Sequence, residues 1–344
     1  MPEGGSSMPQ RIRSLDLIRV VSFLMIIWYH MTVQLPLCGI CRVETVSPFY
    51  SSANLHLGTM AVAAFFMLSG AGLYISSQKD FNALSFYRKR LPKLLIPYYI
   101  VVAVVDALKI ISERSLQAVF DPEVPAWRFV FTLCGMDEWV SMHGIKTFSN
   151  TVGEWFLGAL IIIYLLFPLI KTAYDRIPKL FFFVSTAVYL YFIYHYSLGI
   201  QIHMSLLTKL YEFILGIYTA KNLKHITAHP YWLLTLPVIL YAALSGRSLD
   251  MNPALKITVT AAAFFISFLY LEKYIPKADI IQKISSLSYE VYLVHHVIIY
   301  RLTPMFAPHI AGSRLMVLVL FSAELVCMVI AGLVLKKITT IKKL

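Results

Sequence analysis

Runs of roughly 18 to 22 apolar residues recur along this 344-residue chain, separated by short polar stretches that carry Pro, Lys and Arg. Each run has about the length a helix needs to cross a ~30 Å hydrocarbon core at ~1.5 Å per residue. A repeated series excludes a cleaved signal sequence, and the first run itself holds Asp16, Arg19 and His30. The runs predict ten helices, over 15–35, 57–78, 94–112, 153–171, 179–197, 204–221, 230–246, 254–271, 286–304 and 313–335. With 58% hydrophobic residues, 14% charged residues and a mean hydropathy of +0.71, the chain has too little charge to clothe a soluble surface. The expected fold class is all-α, a polytopic integral membrane bundle of about ten transmembrane helices.

The basic residues predict an orientation. With the N-terminus in the cytoplasm, 20 of the 30 Lys and Arg fall on the inner side, among them Arg11, Arg13, Lys79, Arg176, Lys224, Lys283 and Lys336. That asymmetry is the positive-inside pattern, and an even number of spans puts both termini in the cytoplasm. The net charge of +12 is thereby explained as topology, and nucleic acid is not an expected partner. The expected organisation is a cytoplasmic tail over 1–14, one transmembrane domain over 15–335 and a basic cytoplasmic tail over 336–344, in a cell membrane (the inner membrane if bacterial). The longest polar segment, between the third and fourth spans, includes Trp127, Phe129, Phe131 and Trp139. It reads as an interfacial helix or a partly inserted flap. Cys38 and Cys41 fall in the first outer loop, where they form an incidental thiol pair or a local disulfide. No His or Cys partners stand at ligand spacing, so no metal site is expected.

Ionisable groups inside a span are costly and mark a pathway or a site. In the first span Asp16 and Arg19 are three apart and can pair on one face. Arg19 and His30 are eleven apart, which returns them to within ~20° of the same face, ~16 Å apart along the axis. Both point into one interior seam without touching. The second span ends in Phe66-Met67-Leu68-Ser69-Gly70, small residues of the kind that let membrane helices approach closely. The following inner loop carries Arg88, Lys89, Arg90 and Lys93 within six positions, either a topological anchor or a phosphate site. Glu154 and Trp155 open the fourth span, the tryptophan as an interfacial anchor and the glutamate as a surface carboxylate or the support of a nearby base. In the ninth span, Glu290, Tyr292, His295 and His296 line a cavity or hold the bundle together as a structural network.

Taken in order, these segments resemble the acyltransferase-3 family of membrane acyltransferases. The residues that carry the resemblance are Leu15-Asp16-x-x-Arg19 followed by His30, then Phe66 to Gly70 and the basic loop running into Pro97-Tyr98. Trp155-Phe156-Leu157 and Ser288-x-x-x-Tyr292-Leu-x-His295 complete the set, which spans nearly the whole chain. The resemblance implies about ten helices and transfer of an acyl group, usually acetyl, from cytoplasmic acyl-CoA to a hydroxyl of an envelope or exported carbohydrate. It implies His30 as catalytic base and Arg19, paired with Asp16, as a charge that organises substrate or CoA; Glu154, Glu290 and Tyr292 are the candidates to support the imidazolium. Arg88, Arg90 and Lys93 are the expected acyl-CoA-binding residues, Arg90 and Lys93 standing at a paired-arginine motif whose second member is here a lysine. Ser69, Trp155, Tyr292 and His295 are further pocket candidates. Acetyl-CoA enters as a donor substrate, with no bound cofactor and no metal.

Some family members add a C-terminal hydrolase-like domain. This chain stops at Lys342-Lys343-Leu344, so it is expected to act alone, as a homo-oligomer or with a separate extracytoplasmic partner. A transporter or flippase for a glycan or lipid-linked substrate is the competing class, but no inverted repeat and no matched pair of broken helices accompanies the interior charges.

Overall fold

The computed structural model describes residues 12–39, 57–148, 152–244, 251–275, 279–310 and 313–341. Among them the chain is helical without strands. A helix lies on each of the ten expected spans: α1 (Arg13–Leu37), α2 (Leu57–Ser76), α3 (Ala83–Glu113), α6 (Glu154–Arg176), α7 (Pro178–Tyr194), α8 (Leu206–Lys221), α10 (Trp232–Leu244), α11 (Pro253–Tyr270), α13 (Ser288–Ile310) and α14 (Arg314–Ile341). Shorter helices fill the connections, α4 (Phe129–Leu133), α5 (Asp137–Ser141), α9 (Leu223–Ala228) and α12 (Asp279–Ser285).

Six of these helices are long and apolar enough to cross a membrane: α1, α2, α3, α6, α11 with the turn that follows it, and α14. The other four differ for physical reasons. α7 and α8 have 17 and 16 residues, short of a ~30 Å core if straight, and α10 is described over 13 residues, up to Leu244. α13 is long enough at 23 residues but is diluted by Glu290, His295, His296, Arg301 and two prolines. The protein is a multi-pass membrane protein.

Two polar regions take definite form. Residues 336–341 continue α14, which stays helical through Ile341. Lys336 and Lys337 do not stop it, since lysine is a good helix former. Between α3 and α6 the polar segment does contain short helices, but its tryptophans part company. Trp127 is exposed, whereas Trp139 is buried with its Cβ against Gly158 of α6. The Cys38–Cys41 pairing falls partly outside the described residues, at Cys41.

The centre of the bundle is built on close backbone approach. A Cβ on Gly70 of α2 would collide with the Phe213 carbonyl of α8, and one on Gly216 of α8 would collide with the Met67 carbonyl of α2. The two glycines thus admit two backbones to each other reciprocally, the use of small residues expected where lipid supplies no hydrophobic drive between helices. Gly216→Ala is expected to destabilise the protein by about 1–3 kcal/mol, the usual cost of overpacking a tight contact. A thermal melt in detergent reads this as a lower Tm. Beside this contact, Lys209 of α8 pairs with Glu212 at 2.7 Å, Thr258 of α11 donates to Glu212 at 3.2 Å, and Tyr189 of α7 donates to Thr258 at 3.0 Å. That buried pair is hydrogen-bonded on both sides, as a charge within a membrane bundle must be.

α1 is packed on several sides, against α2, α11, α12 and α13. It is therefore interior along most of its length, which is why its polar residues face protein rather than lipid.

Candidate active site

The cavity at the centre of this site has a volume of about 770 Å3 and is walled by α1, α2, α3, α6, α13 and α14. Its two ends differ in chemistry. One end carries Arg19, Arg88, Lys89, Lys93 and Lys336. The other reaches Glu154, Tyr292 and His295. Between them the walls are mostly apolar, with Phe23, Ile27, Phe65, Phe156 and Leu160.

At the basic end, α12 and α13 hold the α1 charges in place. Ser285 donates to Asp16 Oδ1 at 2.6 Å and accepts from Arg19 Nη1 at 3.0 Å, while Asp16 and Arg19 stand 3.7 Å apart. Asp16 is buried and Arg19 reaches the cavity. The pairing expected from their three-residue spacing is present, and Ser285 bridges it. Lys336 donates to the Ser286 carbonyl at 3.0 Å and to its hydroxyl at 2.7 Å, tying α14 to the same corner.

At the other end, three histidines gather around one carboxylate. Glu154 Oε1 lies 2.6 Å from His296 Nε2, 3.3 Å from His295 Nε2 and 3.6 Å from His30 Nε2. The His30 ring centroid is 4.2 Å from that of His296 and 5.2 Å from that of His295. The backbone at this point is unusual. Gly153 has φ +84° and Glu154 φ +39°, two consecutive residues in the left-handed region at the start of α6. For a glutamate that conformation costs of order 1–3 kcal/mol and persists only where surroundings enforce it. The Tyr292 hydroxyl donates to the Gly153 carbonyl and anchors the turn that aims the carboxylate inward.

Of the residues expected from sequence, the fold brings together His30, Glu154, Tyr292 and His295 at one end, and Asp16, Arg19, Arg88 and Lys93 at the other. Ser69 lines the cavity between them, as does Tyr164. Two expected residues lie elsewhere. Arg90 turns away from the cavity to donate to Ser76 Oγ at 3.1 Å. Trp155 packs on the apolar cluster around Phe66 and Leu160, and its neighbour Phe156 takes the wall position. Of the carboxylates expected near His30, Glu154 stands 3.6 Å from its ring, whereas Glu290 lines the cavity about five residues nearer the basic end, ~7.5 Å along α13.

Ser285 and Lys336 are site residues that the sequence does not single out, and His296 and Lys89 enter there only as members of a polar and a basic cluster. His296 stood in plain sight beside His295, but two consecutive helical residues point ~100° apart, and periodicity alone assigns only one of them to a site. Sequence spacing shows no metal-ligand cluster, but the fold brings four potential ligands together. His30, Glu154, His295 and His296 have ligand atoms that all lie within 4.8 Å of one another. The four come from three separate helices, so no local motif announces them.

The family model described as an acyltransferase domain matches residues 12–335, nearly the whole chain, and with it the cavity walls from α1, α2, α3, α6 and α13. The chain belongs to the acyltransferase-3 family. No curated protein and no solved structure matches it. As an acyltransferase-3 protein it is a membrane acyltransferase, and the match begins at α1, the helix that carries both Arg19 and His30.

Proposed function

We propose that the protein moves an acetyl or similar acyl group from acyl-CoA, held at the basic end of the cavity, to a hydroxyl of an envelope or exported carbohydrate at the histidine end. The supporting observation is the single cavity that joins Arg19, Arg88, Lys89 and Lys93 to Glu154 and His295. CoA is a phosphate-rich donor, and guanidinium and ammonium groups recognise phosphate by charge-assisted hydrogen bonds. The apolar middle of the cavity suits the uncharged pantetheine arm and the thioester. The orientation that accompanies this reading puts the basic end toward the cytoplasm, where acyl-CoA is found.

His30 is the base in this scheme. Its side chain keeps 20% of its surface exposed and stands against Glu154, beside the end of the cavity that His295 lines. His30 Nε2 takes the proton of the acceptor hydroxyl, and the freed oxygen attacks the thioester carbonyl. The C–S bond breaks, the ester C–O bond remains, and the proton passes to the departing CoA sulfur. The Glu154 carboxylate stabilises the imidazolium formed in between. Membership of an acyltransferase family does not favour the transporter reading.

Purified protein in liposomes, supplied with labelled acetyl-CoA on one side and candidate glycans on the other, tests this directly. Label in the glycan is the expected result, and glycan movement without any acyl donor would overturn it. The donor end makes a separate prediction. Lys93→Ala and Arg88→Ala are expected to raise KM for acyl-CoA about tenfold, the equivalent of a lost charge-assisted hydrogen bond of about 1.5 kcal/mol. kcat should change little, because binding there is the same in ground and transition states. Arg90→Ala, removing a side chain that faces Ser76, should shift KM less.

A further inference from the structure

The histidine cluster holds more ligating capacity than a base and its support require. His295 Nδ1 is directed at the Tyr292 carbonyl. A carbonyl can only accept, so Nδ1 carries the proton, and the neutral ring presents the lone pair of Nε2 to Glu154 Oε1. Glu154 Oε1, His295 Nε2 and His296 Nε2 are all buried without an aligned hydrogen bond among the described residues. The lone pair of His295 Nε2 faces Glu154 Oε1 at 3.3 Å, and the two repel unless positive charge stands between them. Protonating the rings supplies it poorly. Ring centroids 4.2 to 5.2 Å apart would put like charges close enough to repel strongly. One divalent ion satisfies all four groups at once.

We propose that His30, Glu154, His295 and His296 form a binding site for a zinc-class divalent ion. The donor set, three imidazoles and one carboxylate, is one that Zn2+ accepts. Tetrahedral zinc with bonds of ~2.0–2.2 Å sets its ligand atoms ~3.3–3.4 Å apart. The observed separations from Glu154 Oε1, 2.6, 3.3 and 3.6 Å, straddle that value, and no pair among the four exceeds 4.8 Å. Side-chain shifts of under an ångström or so about χ angles suffice to close the shell. The link from His295 Nδ1 to a backbone carbonyl is the outer contact by which metal-binding histidines are held in the ligating tautomer. The Tyr292 hydroxyl, on the Gly153 carbonyl, positions the fourth ligand.

Four protein ligands leave a tetrahedral ion no open position, which makes this a closed site. The ion occupies the Nε2 lone pair that His30 needs as a base. Zinc loading therefore silences acyl transfer, a consequence that rests on the acyl-transfer reading above, whereas ion binding itself does not.

The test separates the two. Full-length protein in detergent, with any histidine tag removed, is stripped with a chelator and dialysed against Zn2+, and bound metal is counted by elemental mass spectrometry. Wild type should take up one equivalent. Glu154→Gln, which keeps side-chain volume, and His296→Ala should each bind at least tenfold more weakly while still eluting as monodisperse protein. Co2+ in place of Zn2+ should give the visible absorption of a tetrahedral centre in wild type alone. The proposal is overturned if stripped wild type binds no more Zn2+ than the His295→Ala/His296→Ala double variant. The same preparations are assayed for acyl transfer. One equivalent of zinc with an unchanged rate would refute the silencing, and a metal count is read whether or not any acyl group moves.

Discussion

His30→Ala should lower the rate of acyl transfer by about 10²- to 10⁴-fold, the range ascribed to a positioned general base. The loss should appear in kcat, because the imidazole is needed as the acceptor hydroxyl gives up its proton and not while the donor binds. KM for acyl-CoA should stay near the wild-type value, since the basic residues that would hold the donor are some 16 Å away along α1. His30 belongs to no hydrophobic cluster and keeps part of its surface exposed, so the alanine variant should fold. A proteoliposome assay with labelled acetyl-CoA checks both parameters. Transfer at the wild-type rate would remove His30 from the mechanism.

Glu154→Gln is the second large effect, and it isolates charge from shape. The amide fills the same space and can take the same turn at the start of α6, but it cannot hold a positive ring. Three imidazoles stand within 3.6 Å of Glu154 Oε1. Without the carboxylate, an imidazolium forming at His30 would face two other histidines and no counter-charge. A fall in kcat of roughly 10²-fold or more is expected. Glu290→Gln is the control, because that carboxylate sits nearer the basic end and is not part of the cluster. If the two variants lost activity equally, the support for His30 would have to be reassigned.

Much of the fold is legible from hydropathy alone. A helix occupies every apolar run because the bilayer leaves the backbone few other ways to satisfy its hydrogen bonds. What hydropathy could not settle is how many of those helices cross unaided. α8, with 16 residues, and α13, with its charges and prolines, are apolar runs of different kinds that look alike in a list of spans. α14 runs on past its apolar run for a related reason, since lysines mark a membrane boundary without breaking a helix.

The site was legible in outline. The Arg19–His30 stripe followed from helical periodicity, and α1 does place Arg19 on the cavity and His30 beside its far end. Glu154 was one of three candidates, because a carboxylate 124 positions from its histidine has no local spacing to betray it. Its approach depends on two left-handed residues, one of them the glutamate itself, and sequence gives no warning of that. Arg90 shows the converse. Its motif position suggested the donor site, but the turn of α3 points Arg88 and Lys93 into the cavity and Arg90 toward Ser76.

The reciprocal glycines of α2 and α8 also divide the bundle mechanically. Two backbones in direct contact cannot slide or separate without losing that fit, so the α2–α8 pair is a fixed wall. α3, which supplies the facing wall with Arg88, Lys93 and Pro97, is built differently. It carries Pro92 and Pro97 within the stretch that lines the cavity, and each proline removes a backbone hydrogen bond and invites a kink. Of these two walls, α3 is the one whose backbone is built to bend.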